Sequence, residues 1–234
     1  THCISSAASD VYKRQEYVTL LTERYPQLKP IGDQIEAAYK ILETCYEQGG
    51  KLLIAGNGGS CADAEHIVGE LMKGFVKRRR VSKEEQALLE QAGMQISQDS
   101  QLEENLGTEL AECLQGGLPA IALTGHNGLS TAFLNDVNGE MIYAQQLWGY
   151  ARPEDVFLGI STSGNSKNIL YALAAARAKG LKTVALTGRD GGKLAKSADA
   201  AIIVPEQETY KIQELHLPIY HALCLMLEEH FFEL

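Results

Sequence analysis

Apolar residues along this chain follow two rhythms, and the alternation between them predicts the fold. Repeats at three and four mark amphipathic helices over Glu16 to Tyr25 and Ile31 to Gln48, where Ile31, Ile35, Ala38, Ile41, Leu42 and Cys45 share a stripe that Gly49-Gly50 ends. Short, nearly unbroken apolar runs at Leu52 to Ala55, Leu118 to Leu123, Asp155 to Ile160, Lys182 to Leu186 and Ala200 to Val204 suit strands covered on both faces. Helical patterns separate most of them, including Glu140 to Tyr150, a run through Lys179, and a last helix from about Glu208 to Glu229. The expected architecture is α/β, a doubly wound five-stranded parallel sheet. In the flavodoxin-like order 2-1-3-4-5, a ligand crevice opens between the carboxyl ends of strands one and three.

Two stretches stand outside this alternation. Residues 1–15 (THCISSAASDVYKRQ) have no initiator Met and no apolar core of a signal peptide, and read as a foreign or disordered segment ahead of one domain spanning 16–234. Residues 77–117 carry Lys77-Arg78-Arg79-Arg80 and helix-like runs near Lys83 to Gln91 and Ser100 to Leu114. They read as an inserted helical lid or arm, or equally as a solvated excursion, since charge runs usually face water.

Composition narrows the function classes. A formal charge of −9 over 234 residues argues against general nucleic-acid binding, which depends on cationic neutralisation of phosphates. No apolar stretch reaches the ~18–20 residues of a membrane span. Five scattered cysteines without CxxC spacing suggest reduced thiols and a cytoplasmic protein.

Candidate chemistry gathers at strand ends. Gly56-Asn57-Gly58-Gly59 follows the first strand and Ser60 is expected to cap the next helix, so backbone N–H groups and the positive helix end can meet an anion. His66 and Glu70, four apart, share a face of that helix as potential metal ligands. Ser161-Thr162-Ser163-Gly164-Asn165-Ser166 follows the third strand, more hydroxyls than an N-cap requires, and reads as a phosphate cradle. Completing a metal site would take one or two more ligands, and the last helix offers Gln213, Glu214, His216 and His221. Composition alone reads those histidines equally well as core residues. Gln213 and His221 lie about 12 Å apart on an ideal helix at ~1.5 Å per residue, and Pro218 between them can bend the path. His126, alone in a loop, carries little signal.

The segments GNGGS with AEHIVGEL, LNDV, GISTSGNSKNI, LTGRDGGKLA and KIQELHLPIYHAL together resemble the phosphosugar isomerase (SIS) domain family, most closely its phosphoheptose isomerases. The likeness runs from about Gly50 to His230, interrupted by 77–117. It implies a homotetramer that converts sedoheptulose 7-phosphate to D-glycero-D-manno-heptose 7-phosphate through an enediol, with one zinc ion per site. By position it implies that Asn57, Gly58, Gly59, Asn135 and Asp136 line the sugar. Ser161, Thr162, Ser163 and Ser166 would hold the phosphate, and His66, Glu70, Gln213 and His221 the zinc. Glu70 and Gln213 would also face substrate, with Glu70 as base and His221 as acid. The competing readings are a non-catalytic SIS protein, either a sugar-phosphate sensor or a replication-initiator-binding tetramer, and an isomerase of another sugar phosphate. Binding relatives tend to lack the carboxylate and histidine at the positions of Glu70 and His221.

Overall fold

A computed structural model describes residues 15–100 and 105–232. Apart from Gln15, the N-terminal segment read as foreign lies outside the described residues. Helix α1 occupies 15–24, and a 3-10 turn leads into α2 (Gly32–Glu47). Strand β1 (Leu52–Ala55) then feeds α3 (Gly59–Met72) through the glycine turn. After an excursion of α4 (Lys83–Asp99) and α5 (Leu106–Cys113), β2 (Ala120–Ala122) leads to α6 (Asn127–Phe133) and α7 (Ile142–Tyr150). The remainder alternates as β3 (Val156–Ser161), α8 (Lys167–Ala178), β4 (Lys182–Thr187), α9 (Gly192–Ser197), β5 (Ala200–Ile203) and α10 (Thr209–Phe231).

The five strands form one parallel sheet in the order β2-β1-β3-β4-β5. Period-two alternation divides each strand between two cores. Leu52 and Ile54 of β1 join Leu158, Ile160 and Val184 in a cluster closed by α2, α3 and α10, whereas Leu53 and Ala55 join Phe157 and Ala185 under α7, α8 and α9. Helix α1 contributes Val18 and Leu21 to the first cluster, so the N-terminal helices pack on their own sheet.

The excursion between α3 and β2 is an antiparallel helical pair. A methyl group on Gly93 would overlap the backbone of Gly107, so these glycines let α4 and α5 close on each other. Ser82 caps α4 in a reciprocal capping box with Glu85, and the pair is closed at its base by the Arg80–Gln115 bridge.

Two residues of the basic cluster depart from the expectation of a wet charge run: Lys77, whose largely covered ammonium pairs with Glu229 at 2.8 Å and donates to the Phe232 carbonyl, and, more fully, Arg79. Arg79 is 2% exposed. Its Nε donates to Glu228 Oε1 of α10 at 2.8 Å, its other nitrogens donate to the Leu71 and Glu70 carbonyls at 2.7 and 3.2 Å, and the guanidinium stacks over Phe232. Glu228 in turn accepts from the backbone N–H groups of Phe75, Val76 and Lys77. Arg79 therefore closes the open carbonyl end of α3 and ties it to the last helix. Helix α10 itself is continuous through Pro218.

Burial by itself would raise the Glu228 pKa, but the three N–H groups and Arg79 outweigh it and hold the carboxyl below its ordinary value. Its stabilisation is therefore full above the unfolded glutamate pKa of about 4.3 and is lost as pH falls through the lower folded value. Glu228→Gln strands a buried guanidinium and is expected to cost roughly 3–5 kcal/mol at pH 7 in urea unfolding. The deficit relative to the parent chain should shrink in acid, once the parent carboxylate is itself protonated. An equal deficit at pH 7 and in acid would contradict the clamp.

Candidate functional site

Two loops meet where the strand order reverses. After β1, a side chain on Gly56 would collide with Ser60, and Gly58 takes a left-handed φ of +57° that glycine adopts without strain. Gly58 is thus the residue preceding α3, and Ser60, expected as the cap, is buried inside the first turn. Asn57 and Asn168, on the first turn of α8, pair through both amides at 2.9 and 2.8 Å. Tyr143 Oη donates to the Gly56 carbonyl at 2.9 Å from beneath. These bonds tie the glycine turn to the loop after β3.

In that second loop, Ser161 Oγ and Ser166 Oγ lie 2.9 Å apart, and Ser163 Oγ accepts from the Asn165 N–H. Gly164 sits at φ +63° against the Gly191 carbonyl, where a side chain has no room. Asn165 is itself held by Ser163 O and by the Lys193 N–H. The hydroxyls of Ser161 and Ser166 therefore meet just before a helix of 12 residues, with Ser163 in the same loop and Thr162 accepting from the Gly188 N–H through its carbonyl, an arrangement that can hold an anion.

The second part of the site lies between α3 and α10. His66 Nε2 is 3.1 Å from Glu70 Oε1, and His66 Nδ1 is 2.9 Å from Tyr220 Oη. The His221 ring packs edge-on against both His66 and Tyr220, with centroids 5.0 and 5.1 Å away, and Phe75 covers its other side. Burial, and then the neighbouring His66, hold the His221 pKa below its ordinary value, with Glu70 opposing them. His221 Nε2 is buried without a hydrogen-bond partner. A side chain on Gly59 would run into the Gln213 amide, so Gln213 lies against the start of α3.

His66 and Glu70 of α3 thus lie together with His221, far along the sequence, while Gln213 sits beside the glycine turn. The His221 ring, its Nε2 without a partner, lies beside the His66 ring and near Glu70, N and O donors of the kind a borderline cation such as zinc takes, although the ligand atoms of the three do not all come within 4.8 Å of one another. Among the described residues, the group whose ligand atoms all lie within 4.8 Å of one another is Glu43, Glu47 and His230, which sequence reasoning did not single out. It is about 13 Å further along α10 than His221 at ~1.5 Å per residue.

Asn135 and Asp136 lie on a π-helical turn, exposed and bonded to each other at 2.8 Å, with no hydrogen bond to the glycine turn. His126 precedes α6 and is exposed. His216 is buried and donates from Nε2 to the Thr187 carbonyl at 3.1 Å, while burial pushes its pKa down to about 4. Sequence reasoning missed Asn168, Asp63 and Tyr220. Only their places could have pointed to them: Asn168 two past the serine loop, Tyr220 next to His221, and Asp63 one turn before His66.

The SIS domain family model matches residues 16–118 and 109–188. The phosphoheptose isomerase of Geotalea daltonii is 39% identical over 202 residues, covering 86% of either chain. A solved structure of a phosphoheptose isomerase from Francisella tularensis superposes with a TM-score of 0.69 at 28% identity, covering 95% of this chain and 98% of that one. The corresponding structure from Neisseria gonorrhoeae gives a TM-score of 0.63 at 29% identity and 97% coverage of both.

If the serine loop holds an anion, Ser166→Ala should weaken binding of inorganic phosphate by about threefold to tenfold, the worth of one hydrogen bond. Gly164→Ala should weaken it further, because the added methyl must push the loop off Gly191. Calorimetric titration checks both, and phosphate affinity unchanged in both variants would place the anion elsewhere.

Proposed function

The chain belongs to the SIS domain family, among its phosphoheptose isomerases, and from that membership we propose how its residues carry the reaction. It is an aldose–ketose isomerase, taking sedoheptulose 7-phosphate to D-glycero-D-manno-heptose 7-phosphate. The observation that carries the assignment of residues is the meeting of His221 with His66 and Glu70, rings 5.0 Å apart, across two helices from opposite ends of the chain.

The reaction moves one hydrogen from C1 to C2 and one from O1 to O2, through an enediol. Glu70 is suited to the carbon-bound proton: one of its oxygens faces His66 and the other faces Lys73 at 3.4 Å, at the half-open edge of the cluster. It takes the proton from C1 and returns it at C2. His221, kept neutral by burial near pH 7, can accept a proton from O1 and deliver it to O2. The hydroxyls of Ser161, Thr162, Ser163 and Ser166 hold the phosphate, which fixes the far end of the sugar and leaves C1 and C2 over the α3–α10 cluster. Asn57, Gly58, Gly59 and Gln213 face the sugar between them, and Asn135 and Asp136 reach it from the segment after β2.

His66, Glu70, Gln213 and His221 would hold a zinc ion, which when bound polarises the carbonyl and stabilises the enediolate. A sugar-phosphate sensor would need only the two anion loops, and gives no reason for His66, Glu70 and His221 to meet. We also place the enzyme in the cytoplasm as a homotetramer. Leu134, Val137 and Trp148, each more than half exposed, supply apolar surface for subunit contact. Among the described residues no helix is long and apolar enough to cross a membrane.

Glu70→Gln should lower kcat for sedoheptulose 7-phosphate by about 10²–10⁴-fold, the range for loss of a general base. A chelator should inactivate the parent enzyme, and added zinc should restore it. Full turnover in Glu70→Gln would remove Glu70 from the chemistry, and chelator resistance would remove the metal.

A further inference from the structure

Behind the cluster runs a chain of hydrogen bonds with a direction. Asp63, one turn before His66 on α3, has Oδ1 3.2 Å from Tyr220 Oη, and Tyr220 Oη is 2.9 Å from His66 Nδ1. His66 Nε2 then faces Glu70 Oε1 at 3.1 Å. Tyr220 is 2% exposed and has a single proton to give. A carboxylate can only accept, so Tyr220 donates to Asp63 and must accept from its other neighbour. That neighbour is His66 Nδ1, which therefore carries a proton.

From this geometry we infer that Asp63 and Tyr220 are positioning residues that hold His66 in its Nδ1–H tautomer, so that its Nε2 lone pair is presented toward Glu70. The consequence is chemical. A lone pair 3.1 Å from a carboxylate oxygen repels it unless a cation lies between them or a proton is added. The relay thus turns His66 from a hydrogen-bond donor to Glu70 into half of a cation-binding pair, and leaves the Glu70 carboxylate without a proton from that side. Ligating histidines commonly owe their tautomer to such a partner on the far nitrogen. Here the partner is a tyrosine brought from α10, the helix that also carries His221, so docking α10 sets both the position of one imidazole and the tautomer of another.

This inference rests on the zinc reading for its purpose, although not for its geometry, and the test separates the two. The probes are the metal-free protein, Tyr220→Phe, which removes only the hydroxyl, and Asp63→Asn, whose amide can donate as well as accept. Nitrogen-15 NMR of the imidazoles at about pH 8, where histidines are neutral, reports the tautomer directly, with His66 assigned by the signal lost in His66→Gln. The parent protein should show His66 as Nδ1–H, and both variants, still folded, should show it shifted toward Nε2–H. An Nε2–H tautomer in the parent, or a tautomer indifferent to Tyr220→Phe, overturns the relay, since a merely structural tyrosine would not move this signal. Zinc alone is then titrated against a chromophoric chelator. Tyr220→Phe should bind it about 10–100-fold more weakly than the parent, the usual cost of losing such a partner. Equal zinc affinity in parent and variant also overturns the relay. A parent that binds no zinc sinks the metal reading instead, and the tautomer measurement still decides the relay.

Discussion

Everything at the site depends on two helices from opposite ends of the sequence lying side by side. Apolar burial brings α3 and α10 together, with Ile67 and Leu71 meeting the row of Ile212, Ile219 and Leu223. Such burial is large but unspecific in register, because neighbouring apolar positions on a helix can substitute for one another. The Arg79–Glu228 pair is directional. It uses the carbonyl end of α3 as one anchor and a carboxylate of α10 as the other, so a slip of one helix along the other would leave buried charge unpaired. Glu70 carries one of the anchored carbonyls and His221 lies two turns before Glu228, so the clamp sets the positions of the pair proposed to carry the chemistry.

The sheet supplies the other constraint. Because β1 is flanked by β2 and β3, the chain leaves β1 and β3 toward opposite faces, and the loops at their carboxyl ends part to form a crevice. Left alone, two such glycine-rich loops would have many conformations. The Asn57–Asn168 amide pair, Tyr143 under Gly56, and the packing of Gly164 against Gly191 reduce them to one. The entropy of ordering is met in the free protein, which is what makes such a site ready for an anion.

Among the described residues, the usual rule that buried polar side-chain atoms find partners is broken at Asp63 Oδ2 and His221 Nε2, on facing helices α3 and α10, and at His216 Nδ1, on the side of α10 that meets β4. Two of these three atoms belong to the cluster around His66. That unmet bonding capacity lies where the proposed metal site would draw on it. Burial raises the Asp63 pKa against the Tyr220 hydrogen bond and the charge of His66, and lowers that of His221, so both groups are set apart from their ordinary behaviour by the same seam.

By itself the sequence determined whatever is local and periodic. Strand runs and helix stripes gave five strands of a parallel sheet, because covering a strand on both faces demands an apolar run that is visible in one dimension; the order 2-1-3-4-5 is the flavodoxin-like expectation, which the sheet bears out. Glycines at positive φ and clustered hydroxyls marked the two loops for the same reason, each being required by the backbone a few residues away. Resemblance extended this to His221 and Gln213, which periodicity could not separate from core residues. Only the tertiary structure showed that Arg79 is buried while Arg78 and Arg80 beside it are not, that Asn168 answers Asn57, and that Tyr220 stands between Asp63 and His66. Each of those facts is a pairing across the fold, and a side chain's partner over such a distance is chosen by how the helices dock on the sheet, which no local pattern encodes.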